Sequence, residues 1–111
     1  MLTTAFIRAE ERESRRLMVV MHGLGDSLES YRMLPQEFNL PEVNYLLVNA
    51  PQPALGGFAW FDFPGDSEPG IIRSFGQLSK LLDTQRERGF PTEQTVLFGF
   101  SQGSMPTVRM T

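Results

Sequence analysis

A serine stands between two glycines in Gly99-Phe100-Ser101-Gln102-Gly103, a G-x-S-x-G spacing that follows the apolar run of residues 95–100. A strand that turns sharply into a helix while presenting a hydroxyl needs small residues on either side of that hydroxyl, and glycine fills both positions here. The chemistry open to Ser101 is nucleophilic attack on a carbonyl carbon. The N–H of Gln102, at the start of the following helix, would face the oxygen that becomes negative in the tetrahedral intermediate. A second donor has to come from a loop after an earlier strand. His22-Gly23-Leu24-Gly25-Asp26 follows the apolar run 16–21 and offers the N–H of Leu24. One such donor is worth roughly 2.7–4 kcal/mol in a studied protease, so the pair matters. G-x-S-x-G alone turns up in roughly a few chains per hundred of this length. The apolar strand before it and the His-Gly loop upstream supply the context that gives it meaning.

Both turns have to be held by strands. Residues 3–9 and 16–21 read as short apolar strands joined by the charged connector 10–15, a solvated turn. Ser27 is placed to cap a short helix over 28–34 that Pro35 limits, and residues 44–49 read as a third, buried strand. Residues 50–70 hold four prolines and four glycines around Phe58, Trp60, Phe61 and Phe63, a long loop of the kind that carries function. Ile71, Phe75, Leu78 and Leu82 then recur at helical spacing, giving the sheet-packed face of a helix that ends near Gly89. Gly76 weakens that helix by about 1 kcal/mol. Residues 95–100 make a fourth strand, β-branched and aromatic, suited to the middle of a sheet. The alternation predicts an α/β fold with a mostly parallel sheet and flanking helices, whose sites form at the carboxyl ends of strands. Both candidate turns fall there.

Composition narrows the function classes. The 111 residues carry 10 Lys and Arg against 13 Asp and Glu, a net charge of −3, with no basic stripe to neutralise phosphates, so nucleic acid is not the expected partner. No cysteine is present, which excludes a thiolate nucleophile, a disulfide framework and a cysteine zinc site. The N-terminal residues mix Glu10, Glu11 and Glu13 with arginines and lack the pattern of a signal peptide, and no apolar run approaches the roughly 18 residues of a membrane span. A cytoplasmic location is the default expectation. No metal or organic cofactor is expected.

Four segments together resemble the small carboxylesterase, phospholipase and acyl-protein thioesterase family of α/β-hydrolases. They are His22-Gly23-Leu24-Gly25-Asp26, Ala50-Pro51, Trp60-Phe61-Asp62 and Gly99-Phe100-Ser101-Gln102-Gly103, in the family's order. The resemblance implies that residues 1–111 are the N-terminal part of an α/β-hydrolase domain acting on a small-molecule ester or thioester through an acyl-enzyme. It implies Ser101 as nucleophile, Leu24 and Gln102 as oxyanion donors, and His22, Gly23, Gly99 and Gly103 as support for loop and elbow. Trp60 and Phe61 would wall the substrate channel, or else anchor their loop in the core, since aromatic side chains dominate both kinds of burial.

The family runs its triad as Ser, then Asp, then His, and the eight residues after Gly103 hold neither Asp nor His. His22 is the single imidazole, and it precedes the serine, as do Asp26 and Asp62. Orienting its loop is the reading of His22 preferred over that of base. Pro106 lacks the N–H that would bond back to Gln102 and so interrupts the helix after the elbow. The expectation is a truncated chain, inactive as it stands, whose fourth strand has an unpaired apolar edge through which it self-associates. The alternative is a non-catalytic acyl-binding or interaction fragment.

Overall fold

The structure is a computed structural model, and it describes residues 2–62, 66 and 68–99. Four strands form the main sheet: β1 (Thr4–Ile7), β2 (Arg16–Met21), β3 (Val43–Val48) and β6 (Thr95–Gly99), in the order β1-β3-β2-β6. β2 pairs in parallel with both β3 and β6, and β1 runs antiparallel to β3. The α/β architecture with a mostly parallel sheet is therefore the one the sequence predicts. Alternate residues of each strand point to opposite faces. Leu17, Val19 and Met21 join Leu46 and Val48 on one face, while Val20, Tyr45 and Leu47 pack on the other.

Helix α2 (Glu68–Glu87) covers the first of these faces through Ile71 and Leu78. It starts where the Asp66 carboxylate accepts the Glu68 N–H at 3.3 Å, with Pro69 in the first turn, where its missing N–H would have had no helical partner. It stops at Gly89, whose φ of +98° is cheap only for glycine; Phe90 N–H then reaches back to the Gln85 carbonyl and Gly89 N–H to that of Arg86. The expected end near Gly89 is met. The expected apolar stripe needs correction, because Phe75 is 38% exposed, and Ser74 and Gln85 are buried with Ile71 and Leu78. Helical spacing from Ile71 allows either residue 74 or residue 75 on the buried face, and the polar Ser74 takes it because its hydroxyl finds a buried acceptor, as shown below.

Two further elements differ from expectation. Ser27 does cap a helix, accepting the Glu29 N–H at 3.3 Å, but that helix is a single 3₁₀ turn, Leu28–Tyr31. Pro35, expected to end it, instead sits in the first turn of α1 (Leu34–Phe38), for the reason that applies to Pro69. The long loop 50–70 contains a β-hairpin of β4 (Gln52–Ala54) and β5 (Gly57–Ala59), turning through Leu55 and Gly56, both at positive φ.

Gly76 and Gly70 make opposite predictions. Nothing lies within 4 Å of where a Cβ on Gly76 would be, so Gly76→Ala raises unfolding free energy by about 0.5–1 kcal/mol in urea titration. A Cβ on Gly70 would sit 2.6 Å from the Cα of Phe61, so Gly70→Ala lowers it. Equal midpoints for the two variants would refute this packing of α2.

Candidate functional site

β2 ends at Met21, and the next residue, His22, has no exposed surface. Its ring is tied at both nitrogens. Nε2 accepts the N–H of Ala50 at 2.9 Å, so it carries no proton, and Nδ1–H is left to donate to the Gly23 carbonyl 2.6 Å away. Burial draws the imidazole below its ordinary pKa of 6.5, against the opposing pull of the Gly23 carbonyl and the Asp26 charge. A ring held this way orients its loop and has no free lone pair with which to take a proton from a serine. The sequence reading of His22 as loop support is the one its geometry favours.

The main chain of His22 is anchored as well. The indole N–H of Trp60 donates to the His22 carbonyl at 2.8 Å, and the Ser74 hydroxyl of α2 donates to the Trp60 carbonyl at 2.6 Å. A buried relay of hydrogen bonds thus joins the end of β2 to the hairpin loop and to α2. Trp60 has no exposed surface and Phe61 is 7% exposed, so both are embedded in the core cluster under α2. Of the two readings left open for Trp60, loop anchoring is the one these contacts support. Gln52 and Asp62 add a surface tie: the Gln52 amide donates to Asp62 at 2.6 Å and accepts from Arg73.

The rest of the His22-Gly23-Leu24-Gly25-Asp26 loop is fixed from the other side by β5. Gly25 N–H donates to the Phe58 carbonyl and Phe58 N–H to that of Asp26, each at 2.9 Å. Gly57 permits this approach, since a Cβ there would lie 2.5 Å from the Asp26 oxygen, and Gly25 adopts a φ of +76°. The Asp26 carboxylate accepts the Ser27 N–H at 2.8 Å, the Ser30 hydroxyl at 2.5 Å and the Tyr31 hydroxyl at 3.2 Å. Burial raises its pKa, but these hydrogen bonds prevail and hold it below the usual carboxylate range. Tyr31 is pushed up to about 12 by burial and by the Asp26 charge. Asp26 is therefore a structural anion of the loop. Among the described residues the N–H groups of Gly25 and Asp26 are engaged by main-chain carbonyls, while that of Leu24, like that of Gly23, meets no main-chain acceptor.

Strand register carries the remaining information. Met21 of β2 is paired with Gly99 of β6, so both strands finish at one level and Gly99 arrives beside the loop that begins at His22. Ser101, Gln102 and Gly103 lie outside the described residues. Among the described residues, no group of three or more His, Cys, Asp or Glu is placed to hold a metal ion, and no helix is long and apolar enough to cross a membrane. Sequence reasoning missed Ala50, Ser74 and Tyr31 as partners of this loop. Ser74 had a signal, a polar residue at helical spacing inside an apolar stripe. Ala50 acts through its main chain, which leaves no trace in residue type.

Comparison with known proteins places the chain among relatives of one family and fold. A family model described as phospholipase/carboxylesterase matches residues 2–111. Acyl-protein thioesterase 1 of Schizosaccharomyces pombe is 32% identical over 101 residues, covering 79% of this chain and 45% of that protein. The Saccharomyces cerevisiae protein of the same name is 27% identical, covering 88% of this chain and 52% of its own length. Among solved structures, esterase PE8 superposes with a TM-score of 0.81 at 26% identity, covering 96% of this chain and 55% of that one. Acyl-protein thioesterase 2 of Zea mays gives 0.70 at 27%, covering 96% and 49%. The chain spans about half the length of the relatives it matches.

The His22 geometry sets a pH dependence. Below pH 6.5 the unfolded chain binds a proton at this imidazole that the folded chain resists, so unfolding free energy falls as pH drops through 6.5 towards the lower folded value. Gln at this position keeps an acceptor for the Ala50 N–H and does not titrate. Urea midpoints measured at pH 7.5 and pH 5.5 are expected to drop further for the natural chain than for His22→Gln. The same drop in both would show that His22 is not held neutral.

Proposed function

The chain belongs to the phospholipase/carboxylesterase family, and from that premise we propose that it carries the nucleophile half of a serine hydrolase acting on carboxylic esters or thioesters. Ser101 is the nucleophile: its Oγ attacks the acyl carbonyl, the alcohol or thiol departs, and water cleaves the resulting acyl-enzyme. Leu24 and Gln102 donate their N–H groups to the oxyanion, with Gly99 and Gly103 allowing the turn and His22 and Gly23 holding the Leu24 loop. The Trp60-Phe61 loop anchors the Leu24 loop to the core through the His22 carbonyl. The single observation that carries this reading is the Met21 to Gly99 register, which delivers the strand preceding Ser101 to the loop that holds Leu24, whose N–H has no main-chain acceptor among the described residues. Relatives named as thioesterases support thioesters among the substrates.

The general base is the missing part of this reading. Both nitrogens of the one imidazole in the sequence are occupied, so activation of Ser101 needs a histidine from outside these 111 residues. That same observation favours a second reading, in which the 111-residue chain binds acyl groups without turning them over. Oxyanion donors and binding alone leave roughly 10³–10⁴-fold acceleration over water when triad members are removed, which allows slow reaction with a strong electrophile.

A fluorophosphonate probe distinguishes the two. Slow, stoichiometric labelling is expected on the peptide that contains Ser101, and none in Ser101→Ala. A chain that unfolds cooperatively in urea yet takes up no label would establish the binding reading in place of the hydrolase.

A further inference from the structure

β1 closes the main sheet on one side: it is bonded to β3 and, among the described residues, to no strand beyond. The Asn49 N–H donates to the Thr3 carbonyl at 2.9 Å, which sets the alternation of the ladder. Thr3, Ala5 and Ile7 turn their main-chain groups towards β3, so Thr4 and Phe6 turn N–H and C=O outward. An edge of this kind is a template for another strand.

A groove of about 510 Å³ runs between this edge and α2, floored by Leu2, Thr4 and Leu81. Two rows of α2 side chains line it. The inner row is Gln77, Leu81 and Gln85; Gln85 is 2% exposed, and the Gln77 side-chain oxygen is buried with no hydrogen-bond partner among the described residues. Lys80, Thr84 and Arg88 form the outer row. Among the described residues no carboxylate lines the groove, although acidic residues outnumber basic ones in the chain. The two ion pairs among the described residues involve neither Lys80 nor Arg88, and Arg88 instead lies 5.4 Å over the Phe6 ring.

We propose that this edge accepts an extended acidic peptide of another protein as an added strand. Such a strand lies about 4.8 Å from β1, bonded to the outward groups of Thr4 and Phe6, and every second side chain then points into the groove. Lys80 and Arg88 are eight residues apart, about 12 Å along the helix. Residues i and i+4 of a strand are separated by about 13–14 Å. The matching pattern is an acid, an apolar residue two positions later over Leu2 and Leu81, and a second acid after two more, with the unpartnered Gln77 side-chain oxygen beside the same groove. A second copy of this chain fits less well, because pairing β1 with β1 brings Lys80 and Arg88 of both copies together.

Titration of the 111-residue chain into fluorescein-labelled Thr-Glu-Val-Leu-Val-Glu-Thr, followed by anisotropy, tests this. Saturable binding is expected, weakened about tenfold or more when both glutamates are replaced by glutamine or when the chain carries Lys80→Glu with Arg88→Glu. Thr4→Pro removes an outward N–H without touching the β3 ladder, and it abolishes binding. A peptide N-methylated at alternate residues gives the same answer with the chain unaltered. Absence of binding, or binding indifferent to N-methylation, overturns the proposal. Self-association in sedimentation that Thr4→Pro abolishes would also overturn it, assigning the edge to a second copy.

Discussion

Everything near the end of β2 depends on a neutral imidazole buried between two main-chain groups. His22 accepts from Ala50 and donates to Gly23, and these two bonds fix the direction in which the chain leaves the sheet. A leucine of similar bulk would leave the Ala50 N–H buried without a partner, at a cost of about 1–3 kcal/mol, and would leave the Gly23 carbonyl with the Asp26 N–H alone. A protonated imidazole would set a donor against the Ala50 donor. Only the uncharged ring satisfies both neighbours. The indole of Trp60 then secures the carbonyl of the same residue, and Ser74 secures Trp60, so the loop is referred to α2 as well as to the sheet.

That rigidity is what the proposed chemistry requires. Stabilisation of an oxyanion requires donors that already point at the developing charge and need not reorganise to meet it. A loop pinned at His22 by the core and at Gly25 and Asp26 by β5 holds the Leu24 amide between its fixed ends, with no main-chain acceptor among the described residues. Parallel pairing of β2 with β6 supplies the other requirement, since register alone decides whether two strand ends finish together. Within the family to which the chain belongs, this is the arrangement from which the proposed acyl transfer follows.

Much of this was legible in the sequence. β2, β3 and β6 appeared as apolar runs within a residue or so of their bounds, and the His-Gly loop and the serine turn were placed at strand ends because glycines and apolar runs mark both. What stayed hidden was of two kinds. Pro35 and Pro69 reside in first turns, where the same residue that ends a helix is welcome, and only the surrounding fold distinguishes the cases. Ala50, and the carbonyls of Trp60 and His22, act through main chain that every residue possesses. Ser74 and Gln85 on the buried face of α2 show tertiary hydrogen bonding and packing overriding an apolar pattern that would have chosen Phe75.

The most direct measurement is the amide resonance of Leu24 in the ¹⁵N-labelled chain before and after phosphonylation of Ser101. If the β2 and β6 turns share an oxyanion site, the Leu24 proton moves strongly downfield as it bonds to the phosphoryl oxygen, while those of Gly25 and Asp26, already engaged, move little. A Leu24 resonance unchanged in the adduct would place the serine away from this loop and contradict the site.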